Sequence, residues 1–157
     1  MSLAESRNWA AKLDELGIEL PSVAAPLAAY VPAVQSGSHV YVSGQLPFVD
    51  GVLAATGKVG ADVSPEEGKA HARTCALNAL AAVHDLVGVD AVVRVVKVNG
   101  FVAVAEGFTS VPAVINGASE LFGEVFADAG KHARAAVGVA ELPLGAPVEV
   151  DVIFEVG

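Results

Sequence analysis

Apolar residues recur along the chain with two different periods, and the switches between them mark the elements. Trp9, Leu13 and Leu16 fall at i, i+4 and i+7, one face of a helix. They predict a first helix over residues 4–16, stopped by Gly17. Ser2-Leu3-Ala4-Glu5 has capping-box spacing, with Ser6 as a rival cap. A linker broken by Pro21 and Pro26 follows. Residues 30–43 then read as a hairpin. Tyr30-Val31-Pro32-Ala33-Val34 and Val40-Tyr41-Val42 flank Ser36-Gly37-Ser38, whose residue types suit a turn. Asp50-Gly51 and Thr56-Gly57 mark further turns around a short strand or loop.

The best-marked helix start is Ser64-Pro65-Glu66-Glu67. Ser64 can accept bonds from orphan N–H groups, Pro65 suits the first helical position, and Glu67 can bond back to the cap. This predicts a helix to about Val87, ended by Gly88, with Ala72, Ala76, Ala79, Leu80, Val83 and Val87 on one apolar face. Residues 92–104 are dominated by β-branched side chains and predict a buried central strand. Asn99-Gly100 inside it reads as a bulge rather than a phosphate cradle. A third helix is expected over residues 112–126, with Ile115, Ala118, Phe122 and Val125 inward and Gly130 just beyond. Residues 135–142 and 148–156 predict a second hairpin around Pro143-Leu144-Gly145-Ala146-Pro147. Within it Val148, Val150, Val152 and Phe154 face one way, and Glu149, Asp151 and Glu155 the other. The order α, ββ(β), α, β, α, ββ describes one α+β domain, with helices packed on a mostly antiparallel sheet.

Composition narrows the partners. The 157 residues are 54% hydrophobic and 17% charged, with a mean hydropathy of +0.56. So few polar residues suggest that neighbouring subunits cover part of the surface. The net charge is −9 and the pI about 4.7. With Lys and Arg scattered, this disfavours nucleic acid and anionic membrane surfaces alike. Prolines and polar residues break the charge-free stretch of residues 21–41, so it would not span a membrane. There is no secretory-signal pattern, and the single Cys75 fits a reducing, cytoplasmic setting.

Little of the usual catalytic vocabulary is present. His71 and Cys75 stand four apart on the second helix, but no further metal ligands support them. They read as a surface histidine beside a buried thiol. His39, His84 and His132 have no visible partners and read as surface or turn residues. G-x-S-x-G, P-loop and H-E-x-x-H patterns are all missing. Arg134 stands out because it enters an apolar strand among small residues. A guanidinium there is costly to desolvate unless it meets a carboxylate, which its planar fork can grip bidentately. That carboxylate is either internal, from Glu141 or Glu149, or carried by a ligand.

Ala133-Arg134-Ala135-x-Val137, then Leu142-Pro143 and Val148-Glu149-Val150, resembles the C-terminal signature of the Rid family (reactive intermediate deaminases, YjgF-like). Tyr41-Val42-Ser43-Gly44-Gln45-Leu46-Pro47 is similar to that family's strand-end segment. Tyr30 matches its pocket tyrosine in type and spacing, and Asn116 its pocket asparagine, while Asn78 fits a recurrent structural position. The resemblance runs over residues 30–156. It leaves residues 1–26 as an N-terminal helix and linker extension ahead of a Rid-like unit at 27–157. His132 stands where the family commonly has proline, and the stretch from Asn116 to Arg134 is about one residue longer than usual.

The resemblance implies a chorismate-mutase-like fold assembled as a homotrimer, with pockets between subunits. It also implies hydrolysis of enamines and imines to 2-keto acids and ammonia, without metal or organic cofactor. Carried over, Arg134 and the N–H of Ala136 would hold the substrate carboxylate. Glu149 would direct water, and Tyr30, Ser43, Gly44 and Asn116 would line the site. The competing expectations are a non-catalytic carboxylate-binding protein on the same scaffold and a ribonuclease, a label that relatives often carry. The acidic charge and the absence of a His/Lys cluster by a basic groove count against the ribonuclease.

Overall fold

In the computed structural model, which describes residues 7–23 and 29–157, the elements follow in the order α1 (Trp9–Glu15), β1 (Ala33–Ser36), β2 (His39–Gln45), β3 (Phe48–Val49), β4 (Val52–Leu53), α2 (Pro65–Val87), β5 (Val92–Ala103), α3 (Val111–Phe126), β6 (Ala133–Val139) and β7 (Val148–Val156). The main sheet has the order β1-β2-β7-β5-β6, and β3-β4 form a separate ribbon. All pairs are antiparallel except β5–β6. That parallel pair follows from α3, which carries the chain from the end of β5 back to the start of β6, as a parallel connection requires.

The expected second hairpin does not form. β5 lies between β6 and β7, and β6 is shifted to Ala133–Val139, leaving 140–142 outside it. Residues 140–147 are too long for a tight hairpin turn, and they hold a kinked 3-10 turn with Leu144 at φ 60°. Alternation marked β7 correctly, but it carries no information about which neighbour a strand pairs with.

Local signals fared better. Both halves of the α2 capping box are made: Glu67 N–H donates to Ser64 Oγ at 3.1 Å and Ser64 N–H to Glu67 Oε2 at 3.2 Å. Gly88 ends the helix at φ 82°. The Asp50-Gly51 turn joins β3 to β4 with both residues at positive φ, the conformation a two-residue hairpin favours. The first hairpin starts later than expected, at Ala33, so Tyr30 precedes the strand. α1 also starts later. Asn8 caps it, accepting from Ala11 N–H, and the Ser2–Glu5 and Ser6 cap candidates lie outside the described residues. Trp9 seats the helix, edge-on to Phe126 at 5.2 Å and donating through Nε1 to Val92 O at 2.8 Å.

α2 and α3 cover one face of the sheet. Their buried side chains meet Val98, Val150, Val152 and Phe154 in a single core, and Ile115, Ala118, Phe122 and Val125 all point into it. The two helices touch at Gly117, where a Cβ would stand 1.9 Å from Lys69 O. Gly100 proves to be a contact point instead of a bulge. The strand register is regular through Asn99 and Gly100, and a Cβ at 100 would meet Ile115 at 2.5 Å. Among the described residues the opposite face of the sheet carries no helix, and Val34, Tyr41 and Val137 lie exposed on it. No helix among the described residues is long and apolar enough to cross a membrane.

Candidate functional site

Arg134 sits on β6, the edge strand, on the side facing the helices. It lies opposite Val98 of β5, which in turn lies opposite Val152 of β7, and both valines are buried. Its Nη1 donates to Asn116 Oδ1 at 2.8 Å and to Ser119 Oγ at 3.2 Å, both on α3. Neither internal carboxylate claims it. Glu141 pairs with Lys58 at 3.2 Å, and among the described residues Arg134 makes no ion pair. Its charge is thus held by neutral oxygens, which position a guanidinium without neutralising it. Ala136, two residues along the same face, is half-buried opposite Gly100.

Glu149 occupies the other side of the sheet. It lies opposite Phe101, which lies opposite Val137, so these three share the helix-free face. The irregularity in β2 between Val42 and Gln45 sets Ser43 and Gly44 beside it. Gly44 lets the carboxylate come close, because a Cβ there would stand 2.5 Å from Glu149 Oε1 and push it aside. Ser43 Oγ donates to Val31 O at 2.6 Å and its N–H to Pro32 O at 2.8 Å. It thereby ties down the segment that carries the exposed Tyr30. Burial, and then the charge of Asp151, raise the Glu149 carboxyl above its ordinary value. Asn99 Nδ2 donates to Asp151 Oδ1 at 2.7 Å.

The expected residues therefore form two groups. Arg134, Asn116 and Ala136 belong to the β6–α3 edge, whereas Tyr30, Ser43, Gly44 and Glu149 gather around β2 and β7. With neighbouring strands about 4.8 Å apart, β5 separates the two groups by roughly 10 Å, and they lie on opposite faces. One chain does not bring Arg134 and Glu149 together.

Ser119 escaped the sequence reading, and His132 was read there as unpartnered. Ser119 bonds Arg134 and also His132 Nε2 at 2.8 Å, while His132 Nδ1 meets Gly130 O at 2.6 Å. His132 is thus a partnered, half-buried residue edge-on to Phe122, not an unattached turn residue. The available signal was spacing: Ser119 follows Asn116 by three on one helix and so shares its face. His84 does serve a turn, its Nδ1 accepting from Val89 N–H at 3.1 Å. Asn78 is structural, donating to Leu46 O and Phe48 O, both at 3.1 Å. Cys75 is fully buried and its thiol pushed well up, chiefly by that burial. Among the described residues no His, Cys, Asp or Glu cluster could hold a metal.

A family model described as "YjgF/chorismate_mutase-like, putative endoribonuclease" matches residues 7–156. The chain belongs to the YjgF/Rid family. Within that family it is 48% identical to Protein TCP17 of Trypanosoma cruzi, over 99% of this chain and 98% of that one. It is 33% identical to a 2-iminobutanoate/2-iminopropanoate deaminase of Dermatophagoides farinae, over 87% of this chain and 92% of that one. A solved protein of unknown function from Agrobacterium tumefaciens superposes with a TM-score of 0.87 at 45% identity, covering 95% of this chain and 92% of that one. The YjgF/chorismate-mutase-like α+β fold expected from the C-terminal signature is the fold found.

Proposed function

We propose that the chain hydrolyses reactive enamines and imines of the 2-aminoacrylate type to 2-keto acids and ammonia, in clefts formed between copies of a homotrimer. The observation that carries this reading is the Arg134 guanidinium, positioned by Asn116 and Ser119 with no countercharge among the described residues. A planar cation held in that way suits the carboxylate of an imino acid. The Dermatophagoides deaminase adds support, and so does the division of the candidate residues into halves that a neighbouring copy would unite. The exposed Val34, Tyr41 and Val137 supply an apolar face for such a neighbour.

In this mechanism Arg134 of one copy and the Ala136 N–H hold the carboxylate, fixing the adjacent C=N carbon. Glu149 of the next copy takes a proton from water as its oxygen attacks that carbon. The proton passes to the nitrogen to give a carbinolamine; the hydroxyl proton then follows it to the nitrogen, the C–N bond breaks to release ammonia, and the C–O bond becomes the keto group. An enamine first takes a proton at its terminal carbon and loses one from nitrogen to become the imine. Tyr30, Ser43, Gly44 and Asn116 shape the cleft.

The test is release of keto acid from freshly generated 2-aminoacrylate. The protein should accelerate it, and Arg134→Ala should reduce the rate by about a hundredfold or more, as expected for losing a charge-assisted bidentate contact. No acceleration over buffer would end the proposal. A second reading, a carboxylate-binding protein without turnover, is favoured by Arg134 and Glu149 lying on opposite faces of one chain. Saturable binding of a 2-keto acid with no hydrolysis would select it.

A further inference from the structure

Arg134 carries five N–H donors, and Nη1 is engaged inside the protein, donating to Asn116 Oδ1 and to Ser119 Oγ. Among the described residues, Nε and Nη2 make no hydrogen bond. The guanidinium is therefore anchored at one corner, with its Nε/Nη2 edge left open.

What holds Ser119 is as informative. Gly130 O can only accept, so His132 Nδ1 carries a proton. In the neutral ring Nε2 is then an acceptor, and Ser119 must give it its hydroxyl proton. That leaves a lone pair of Ser119 Oγ for Arg134. The chain of donors runs one way, from Arg134 Nη1–H to Ser119 Oγ–H to His132 Nε2, and from His132 Nδ1–H to Gly130 O. Each group has its role fixed by the next. His132 is itself set by Phe122, against whose ring it stands edge-on at 6.0 Å, and by the glycine at 130, where a Cβ would stand 2.2 Å from Phe122 O.

We infer that Ser119 and His132 are positioning residues that lock the Arg134 guanidinium, so that an incoming carboxylate is gripped side-on by Nε–H and Nη2–H, not end-on by the two Nη groups. The side-on grip rests on the carboxylate-binding reading above, whereas the lock does not. A side-on grip turns the plane of the bound acid by the geometry of the fork. It thereby decides which direction the C=N carbon faces, so the lock also sets where water must arrive.

The lock is read by nitrogen-detected NMR of the arginine side chain in the full-length protein. Hindered rotation about Nε–Cζ should resolve separate Nη1 and Nη2 signals. Ser119→Ala should merge them, and Ser119→Thr, which keeps the hydroxyl, should preserve them. Melting curves would show that each variant is folded. The double variant Ser119→Ala/His132→Ala should behave as Ser119→Ala alone, because the two residues act in series. Merged signals in the unaltered protein, or resolved ones in Ser119→Ala, would overturn the lock. Adding 2-oxobutanoate should shift the Nε and Nη2 resonances and leave Nη1 in place; a shift confined to the two Nη groups would overturn the side-on grip. If the keto acid moves none of them while Nη1 and Nη2 stay resolved, the carboxylate reading and its grip fall together and the lock stands. In turnover, Ser119→Ala should lower kcat about tenfold with a smaller change in KM, because an unlocked guanidinium still binds the acid but no longer fixes its C=N carbon against the arriving water. Ser119→Thr should restore kcat, which a merely structural role for the residue would not predict.

Discussion

The same strands give the sheet two faces with opposite fates. Towards α2 and α3, Val98, Val150, Val152 and Phe154 are sealed in the core. On the other side Val34, Tyr41 and Val137 remain about half exposed, at 51%, 48% and 46%, interleaved with Glu149 and Asp151. Because strand side chains alternate with a period of two, each face is written in every second residue. The division teaches that the candidate chemistry is also split. Arg134 belongs to the covered face at the sheet's edge, and Glu149 belongs to the bare one. A covered face supplies rigidity, while a bare face with apolar residues among acids is suited to meeting another copy.

The sharpest break of this comparison is in the core. Phe122 is fully buried and touches Phe126, Phe154 and His132. Phe122→Ala should lower unfolding stability by about 3–5 kcal/mol, the usual range for a large buried aromatic, as measured by denaturant titration. A loss below about 1 kcal/mol would mean that the helix-covered face is not where the fold's stability resides.

Next comes the bare face. Val137→Asp places a charge on a half-exposed strand position. An isolated chain would tolerate it, as surface substitutions usually shift stability by about 0.5 kcal/mol or less. If copies bury this face against one another, the variant should dissociate, with its mass in light scattering falling from trimer to monomer. Turnover should fall with it, although neither Arg134 nor Glu149 is altered. An unchanged mass and rate would dismiss the shared-cleft arrangement.

How far the sequence reached depends on the range of each interaction. Ser64, Glu67 and Gly88 bounded α2 because caps act within a few residues, and the alternation of β7 gave its two faces directly. Pairing was illegible: nothing in residues 133–156 indicates that β7 slots between β2 and β5. The regular register at Gly100 depends on a distant contact with Ile115, so its glycine resembled a bulge signal. The candidate residues were found through motif resemblance, but their division between two faces follows from the sheet order and could not have been read in advance. Ser119 and the bonding of His132 were missed for a related reason, since their partners lie across the gap between α3 and β6.

The subtlest difference between the faces is electrostatic, and it gives a pH signature. Burial first and Asp151 second push the Glu149 carboxyl up; among the described residues no carboxylate pairs with Arg134 on the covered side. A base must be ionised to act, so the acid limb of the activity profile should lie above that of an exposed glutamate. Asp151→Asn removes the second cause and leaves the first. The limb should therefore move to lower pH without reaching that of an exposed glutamate, and this is checked by kcat/KM against pH for the two proteins. For stability the sign is opposite to that of a salt-bridged acid. A carboxyl whose pKa is raised by folding contributes stability that is fully present below its unfolded pKa and lost as pH rises through the folded one. Glu149→Gln should thus be slightly more stable than the unaltered protein at neutral pH, and the gain should vanish in acid. The same substitution should also remove turnover. A limb that ignores Asp151→Asn, together with no stability gain from Glu149→Gln, would show that the bare face does not tune this carboxylate.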